Sequence, residues 1–398
     1  MPKRKITHFF RFSRVKIKEV SVSADCFMTL VKLEPDGRFL PVCSGCHKKV
    51  RRIHSYENRA IRDLPMSESM VIINLRYRNV RCPDCGIRVE HHDFVAPYAR
   101  YTHRLATLVF KLCEDMSLSK VSELLNLSWD QVKNIDHSEL RKRYANIDLS
   151  NLRILTIDEI SFRKHHKYLT IIANFETGEV IGVVENRDYD ALANFLKKIP
   201  LEVRQNIEAV AIDMWDPFIK AVKDHLPNAL IVFDLFHVVA AFGRVINKIR
   251  NHEFRKADPQ MKKIMKRSRY LLLKNAQNLN DEEQPRLKEI LQNNQALATA
   301  YILKDYLKRL WQYKSRSWAV KFLIYWCNLA KNSGIELLQK FIKTLIQHAY
   351  GIINHCDYPI HTGKLEGINN KIKVIKRKAY GYHDLQYFGL KIMHATSS

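Results

Sequence analysis

The chain has 398 residues, 46% hydrophobic and 10% aromatic, enough to bury two or three separate cores, which excludes a disordered chain. Sixty-six Lys and Arg against 41 Asp and Glu give a formal net charge of +25, a balance that suits a polyanionic partner, most commonly nucleic acid. The sequence has no G-x-G-x-x-G or G-x-x-x-x-G-K loop to cradle a nucleotide. Its most apolar stretch, Ala229 to Phe242, is broken by Asp234 and His237 and is too short for a bilayer. The basic start Met1-Pro2-Lys3-Arg4-Lys5 leads into no signal-peptide core. No membrane partner is expected, and the expected location is the cytoplasm, in association with the nucleoid.

Four of the eight cysteines form two C-x-x-C pairs, Cys43/Cys46 and Cys82/Cys85. In a chain without an export signal, such pairs suggest metal rather than disulfides. Each knuckle turns two thiolates toward one ion, and two knuckles complete a tetrahedral S4 site for structural Zn2+, with no position left open for chemistry. His47, His91 and His92 are alternative ligands, and free thiols are the plainer reading. The alternating run Ser69 to Tyr77 predicts a strand returning the chain between the pairs. Residues 1–98 are expected to be a zinc-knuckle DNA-binding module.

Arg104 to Cys113 is apolar at helical spacing, and two short amphipathic helices follow, separated by Asn126-Leu127. The first would be capped by Ser117 or Ser119. The second would begin at Ser128, with Gln131 at capping-box distance. This is the period and length of a helix-turn-helix, assigned to residues 99–147, in which the second helix enters the major groove. Gln131, Lys133 and Asn134 have side chains suited to base edges and phosphates; an ordinary helical pair would show the same apolar pattern.

From Asn151 the period changes to that of strands. Leu152–Asp158 reads as a strand ending in an acid. Tyr168–Asn174 and Val180–Val184 form a hairpin across Glu176-Thr177-Gly178-Glu179. A helix, Tyr189 to Ile199, leads to the strand Ile207–Asp213; a second helix, Pro217 to Leu226, leads to the strand Ala229–Asp234. Three antiparallel strands and two crossovers give a mixed five-stranded sheet in an α/β (α+β) fold, with the fourth strand beside the first. Asp158 and Asp213 then emerge side by side at one end of the sheet. Such a pair repels itself unless a cation sits between, the logic of a hard-metal site. A third acid is expected from Glu366, on a helix whose core face is Leu365, Ile368, Ile372 and Ile375. Its polar side carries Asn369, Asn370 and Lys373. Lys364, Lys373, Lys376 and Arg377 make this a cationic segment that phosphates would approach, with Asn370 among them as a further DNA contact.

The runs Ile157-Asp158-Glu159, Ala211-Ile212-Asp213-Met214-Trp215, Phe233-Asp234-Leu235-Phe236-His237 and Leu365-Glu366-Gly367-Ile368-Asn369-Asn370-Lys371 through Tyr382 resemble the ISL3 family of bacterial insertion-sequence transposases. The two C-x-x-C pairs and the helix-turn-helix stand where that family has its N-terminal modules, so the resemblance covers nearly the whole chain. It implies an RNase H-like catalytic domain over residues 148–398 and a DDE triad of Asp158, Asp213 and Glu366. Asp234 and His237 fall on another family motif, expected to support the triad from behind. Two Mg2+ ions, replaceable by Mn2+, would be held by the triad to cut and rejoin phosphodiesters. Double-stranded DNA, as element ends and target, is the implied partner, with a homodimer or larger assembly on it. Two places depart from the family pattern: His361-Thr362 replaces a Ser-Asn pair, and Gly389 and Lys391 stand where arginine is usual.

About residues 238–356 the period is almost wholly helical, the mark of an insertion between the fifth strand and the Glu366 helix. Trp311, Trp318 and Trp326 in it read as core, with stacking on a flipped base as the alternative for one of them. Two rival functions remain at this level: a non-catalytic DNA-binding regulator or inactive copy, and an RNase H-like nuclease that cuts without strand transfer.

Overall fold

The computed structural model describes residues 6–163, 167–360, 363–379 and 382–397. His361 and Thr362 lie outside them. The chain forms two compact units, residues 1–146 with 376–382, and residues 147–375 with 383–398.

The first unit opens with β1 (Val15–Val22), β2 (Met28–Pro35), β3 (Ile53–Arg62), β4 (Met70–Cys82) and β5 (Gly86–Val89). They form one sheet in the order β1-β2-β4-β3, with β5 also on β4. Only β2 and β4 run parallel. Sequence reading found the strand at 69–77 but not the sheet around it. In β4 the alternation is clean, with Val71, Ile73 and Leu75 fully buried, whereas β3 is a mostly exposed strand rich in polar residues and carries little period-2 signal.

Three helices follow, α1 (His103–Asp115), α2 (Leu118–Leu125) and α3 (Trp129–Arg143). Leu105, Val109, Val121, Leu125, Val132 and Ile135 close a small core between them. The start signals work as read. Ser117 Oγ accepts from Lys120 N, and Ser128 and Gln131 complete a reciprocal capping box. Asn126 takes the left-handed conformation (φ 47°) at the turn, which asparagine tolerates. Residues 376–379 and Tyr382 belong to this unit, where Lys378 Nζ donates to the Glu114 carbonyl at 2.9 Å.

The second unit is built on β6 (Ile154–Arg163), β7 (Lys167–Asn174), β8 (Val180–Glu185), β9 (Ala209–Ile212) and β10 (Leu230–Phe233). Their order is β10-β9-β6-β7-β8, antiparallel across β6-β7-β8 and parallel across β6-β9-β10. Strand four does lie beside strand one. One expectation is corrected: Asp158 does not end its strand, because β6 runs on to Arg163. The parallel partner stops near Thr156, but the antiparallel hairpin with β7 carries the strand further. Helices α4 (Tyr189–Lys198), α5 (Leu201–Asn206) and α6 (Asp216–His225) make the crossovers. Gly182 in β8 leaves room for the Phe195 ring of α4; a Cβ there would stand 2.1 Å from it.

The helical insertion runs through α7 (Leu235–Lys256), α8 (Pro259–Met265), α9 (Arg269–Leu273), α10 (Glu283–Asn293), α11 (Gln295–Arg309), α12 (Arg316–Asn332), α13 (Glu336–Gln347) and α14 (Ala349–Ile353). Its helices are separated by defined breaks: a cap at Asn294 divides α10 from α11, and Gly334 (φ 71°) divides α12 from α13. Val238, Phe242, Ile246 and Ile249 give α7 a buried stripe against α11 and α13. Asn354 Nδ2 donates to the Ile231 carbonyl at 2.8 Å, and Gly351 lies against the Phe233 ring, so this segment covers the outer edge of β10. Two helices complete the unit, α15 (Gly363–Lys378), whose last three residues belong to the first unit, and α16 (Leu385–Thr396). Among the described residues no helix is long and apolar enough to cross a membrane.

The tryptophans of the insertion divide. Trp326 is fully buried, with its indole nitrogen donating to the Leu303 carbonyl at 2.9 Å and its ring 5.5 Å from Phe242. Trp318 is 61% exposed, not core. Trp326→Ala is expected to destabilise this unit by about 3–5 kcal/mol, and Trp318→Ala by less than about 0.5 kcal/mol, read from urea unfolding. Lys304 is buried with its ammonium donating to the Leu272 and Lys274 carbonyls, and burial lowers its pKa to about 8. The unfolded chain then holds the proton up to about pH 10.4 while the folded chain releases it earlier. Wild type should therefore gain stability relative to Lys304→Met as pH rises from 8 to that value. Equal pH slopes in the two proteins would contradict this.

Candidate functional site

At the metal knuckles, β4 and β5 form a hairpin that presents Cys82 and Cys85, and the loop ahead of β3 presents Cys43 and Cys46. Among the described residues these four are the one group of three or more potential ligands whose atoms all lie within 4.8 Å of one another. Cys46 Sγ and Cys82 Sγ are 3.5 Å apart, close to an edge of a tetrahedron with ~2.3 Å metal–sulfur bonds. Acidities confirm the crowding. Burial works against a thiolate at Cys43, yet the amides of Cys46 and Gly45 bring it down to about 7. The neighbouring Cys46 thiol and burial push Cys85 up to about 12. Four thiolates can coexist here only around a cation, so the donor set fits zinc. The histidines named as alternatives are otherwise engaged: His47 and His91 meet edge to face at 4.6 Å, and His92 is buried against Glu90.

The second cluster sits at the end of the β6-β9-β10 sheet. Thr156 pairs with Ala211 and Phe233 with Ile212, so the register carried forward aligns Asp158, Asp213 and Asp234 across three neighbouring strands. Asp213 and Asp234 come just after their short strands end. Asp234 is buried and caps α7, accepting from Phe236 N at 2.9 Å. That cap fixes the first turn of α7, from which His237 reaches in. His237 Nδ1 lies 3.4 Å from Asp213 Oδ2, and its Nε2 lies 4.0 Å from Asp158 Oδ1.

His237 thus lies against Asp213 and near Asp158, as a supporting residue would, and Asp234 acts through the helix cap. Burial opposes charge on the imidazole, but the hydrogen bond to Asp213 and the charges of Asp213, Asp158 and Asp234 raise its pKa above the ordinary value. Burial likewise opposes the Asp213 carboxylate, and the His237 bond and charge with the Met214 amide hold it below the usual range. Two carboxylates brought to one imidazole mark a place suited to positive charge, and hard carboxylate oxygens fit a hard divalent cation.

Helix α15 reaches this cluster through a residue that sequence reading placed on its polar side without giving it a role. Asn369 Nδ2 donates to Asp158 Oδ2 at 2.8 Å. Glu366 is one helical turn earlier on α15 and exposed, and it is not within ligand distance of both aspartates. Its i, i+3 relation to Asn369 was the signal that could have found the amide. Ile368 and Ile372 form the buried face as read, and Ile375 is half-buried.

The residues read as contacts for phosphates and bases divide as well. Gln131 is exposed, with its side-chain carbonyl engaged by Ser128 N; Asn134 is exposed and Lys133 lies over the Trp129 ring at 5.8 Å. Lys364 donates to the Phe175 and Glu176 carbonyls at 3.0 and 2.8 Å, pinning the start of α15 to the β7–β8 turn. Asn370, Lys373 and Arg377 are exposed, and Lys376 is half-buried.

Cys82→Ser is expected to lower bound zinc from one equivalent to well below one and to loosen the β4–β5 hairpin, since a structural zinc contributes about 10 kcal/mol or more to folding. Elemental analysis with proteolysis of the first unit checks this; a full zinc content in the variant would contradict it.

With both clusters described, the chain can be set beside known proteins. Residues 155–392 match a family model described as Transposase, of the ISL3 DDE type. Residues 90–139 match the helix-turn-helix domain of transposase family ISL3, and residues 40–85 match the zinc-finger of transposase IS204/IS1001/IS1096/IS1165. The transposase for insertion sequence element IS1001 of Bordetella parapertussis is 37% identical over 369 residues, 92% of this chain and 91% of that protein. The transposase for insertion sequence element IS1557 of Mycobacterium tuberculosis is 24% identical over 393 residues, 92% of this chain and 87% of its own. The chain belongs to the ISL3 family of insertion-sequence transposases.

Proposed function

We propose that this transposase binds the terminal repeats of its element and cuts and transfers DNA strands at a site formed by Asp158, Asp213 and Glu366, in an RNase H-like domain. The observation that carries this reading is the convergence of Asp158 and Asp213 on His237, with α15 held against Asp158 by Asn369. The strand order, three antiparallel strands followed by two parallel ones, supports the fold. Asp158, Asp213 and, after a turn of its side chain, Glu366 would hold two Mg2+ or Mn2+ ions. Bound there, the ions would supply Lewis acidity at the phosphate and a water acidic enough to attack it.

The protein's own groups do the positioning. Asn369 fixes the rotation of the Asp158 carboxylate, and the Met214 amide fixes Asp213, donating to Oδ1 at 2.6 Å. His237 lies against the other Asp213 oxygen at 3.4 Å. In the first unit, Cys43, Cys46, Cys82 and Cys85 would hold one structural Zn2+, and α3 would read DNA through Gln131, Lys133 and Asn134. Lys364, Asn370, Lys373, Lys376 and Arg377 would meet phosphates, with Lys364 also tying the start of α15 to the β7–β8 turn. Bringing two element ends together calls for a dimer or larger assembly on DNA.

A labelled duplex carrying the element's ends should be nicked by the wild type only with Mg2+ or Mn2+. Asp213→Ala should lose more than about a hundredfold in rate, beyond the range for losing a group that only supports a metal ligand. End binding by gel shift should stay within about twofold. Undiminished cleavage by Asp213→Ala would overturn the assignment.

A further inference from the structure

Beside the carboxylates stands a second cluster that the assignments above leave unused. Trp215 follows Asp213 in a tight turn, its amide donating to the Asp213 carbonyl at 2.7 Å. Its indole nitrogen donates to the Arg187 carbonyl at 2.9 Å. The Arg187 guanidinium lies 4.7 Å from the centre of the Trp215 ring and 4.3 Å from that of Tyr168. It also pairs with Glu159 at 3.2 Å. Glu159 follows Asp158 in β6 and so points to the other face of the sheet. The cluster therefore flanks the carboxylates at the same end of the sheet without joining them.

Stability alone accounts poorly for this arrangement. A half-exposed Arg–Glu pair contributes little, and Trp215 keeps 38% of its surface in solvent where a core tryptophan such as Trp326 keeps none. What the cluster does achieve is rigidity. The indole is held at its nitrogen, and the guanidinium is held by a carboxylate and two rings with 36% of its side chain still exposed. A fixed aromatic surface beside a fixed planar cation suits a nucleotide: every base has a face to stack, and the guanidinium fork matches phosphate oxygens.

We propose that Trp215 and Arg187 form a nucleotide subsite in which Trp215 stacks on the base next to the scissile phosphate and Arg187 holds that nucleotide's phosphate. The subsite rests on the reading of Asp158 and Asp213 as the cleavage centre and adds to it a means of positioning the strand.

The test uses the full chain and a duplex of the element's own terminal repeat with 2-aminopurine at the nucleotide flanking the cut. Fluorescence is read in Ca2+, with no need for cleavage. Wild type and Trp215→Phe should change the emission, and Trp215→Ala should leave it at the value of free duplex. In Mg2+, cleavage by Trp215→Ala and Arg187→Ala should fall about tenfold or more, the scale of one lost base–aromatic stack, while Trp215→Phe stays near wild type. Wild-type emission from Trp215→Ala would overturn the subsite. So would Trp215→Phe behaving like Trp215→Ala, which would reduce the residue to its hydrogen bond with the Arg187 carbonyl. Asp213→Ala that still cuts would sink the cleavage centre instead, a result separable from the fluorescence.

Discussion

Two carboxylates set side by side on neighbouring strands repel each other, and much of the second unit can be understood from how that repulsion is contained. Asp158 and Asp213 are fixed in this relation by the parallel register of β6 and β9, which the core beneath them does not allow to slip: a one-residue shift would turn Leu155, Ile157, Val210 and Ile212 out of that core. His237 stands between the two acids, 3.4 Å from Asp213 Oδ2 and 4.0 Å from Asp158 Oδ1. Its own position depends on Asp234 capping α7, and α7 depends on the helices packed around Phe242 and Trp326. The large insertion thus has a mechanical role at the site: it anchors the helix that delivers the imidazole.

Seen from the same constraint, α15 is a second support. Lys364 ties its start to the β7–β8 turn, Ile368 and Ile372 bury one face, and Asn369 holds Asp158. Glu366 is carried by the same turns of helix yet remains exposed. In the first unit the corresponding feature is four cysteine sulfurs in one small volume, a donor set that fits one shared zinc ion.

Much of this was legible in the sequence. The order of strands, both serine caps and the knuckle spacing follow from rules acting over a few residues. Asp213 and Asp234 could be placed because each follows a short apolar run that reads as a buried strand. Asp158 was misjudged as a terminus because the pairing that extends β6 comes from its antiparallel neighbour, which leaves no mark on β6 itself. The sheet of the first unit was missed because β1 and β3 are exposed strands with polar faces. The contacts of His237 and Asn369, and the Arg187 sandwich, join residues 19 to 211 positions apart, and no local period encodes such distances.

The central claim, that the end of the β6-β9 sheet is a hard-metal centre, is tested most directly by loading the protein with Fe2+ and generating hydroxyl radicals from it with ascorbate and peroxide. Cutting of the protein's own backbone maps where the ion sits. Fragments ending near Asp158, Asp213, His237 and Glu366, suppressed by excess Mg2+, are the predicted result. Cuts confined to other segments, or cuts that Mg2+ does not suppress, would contradict it.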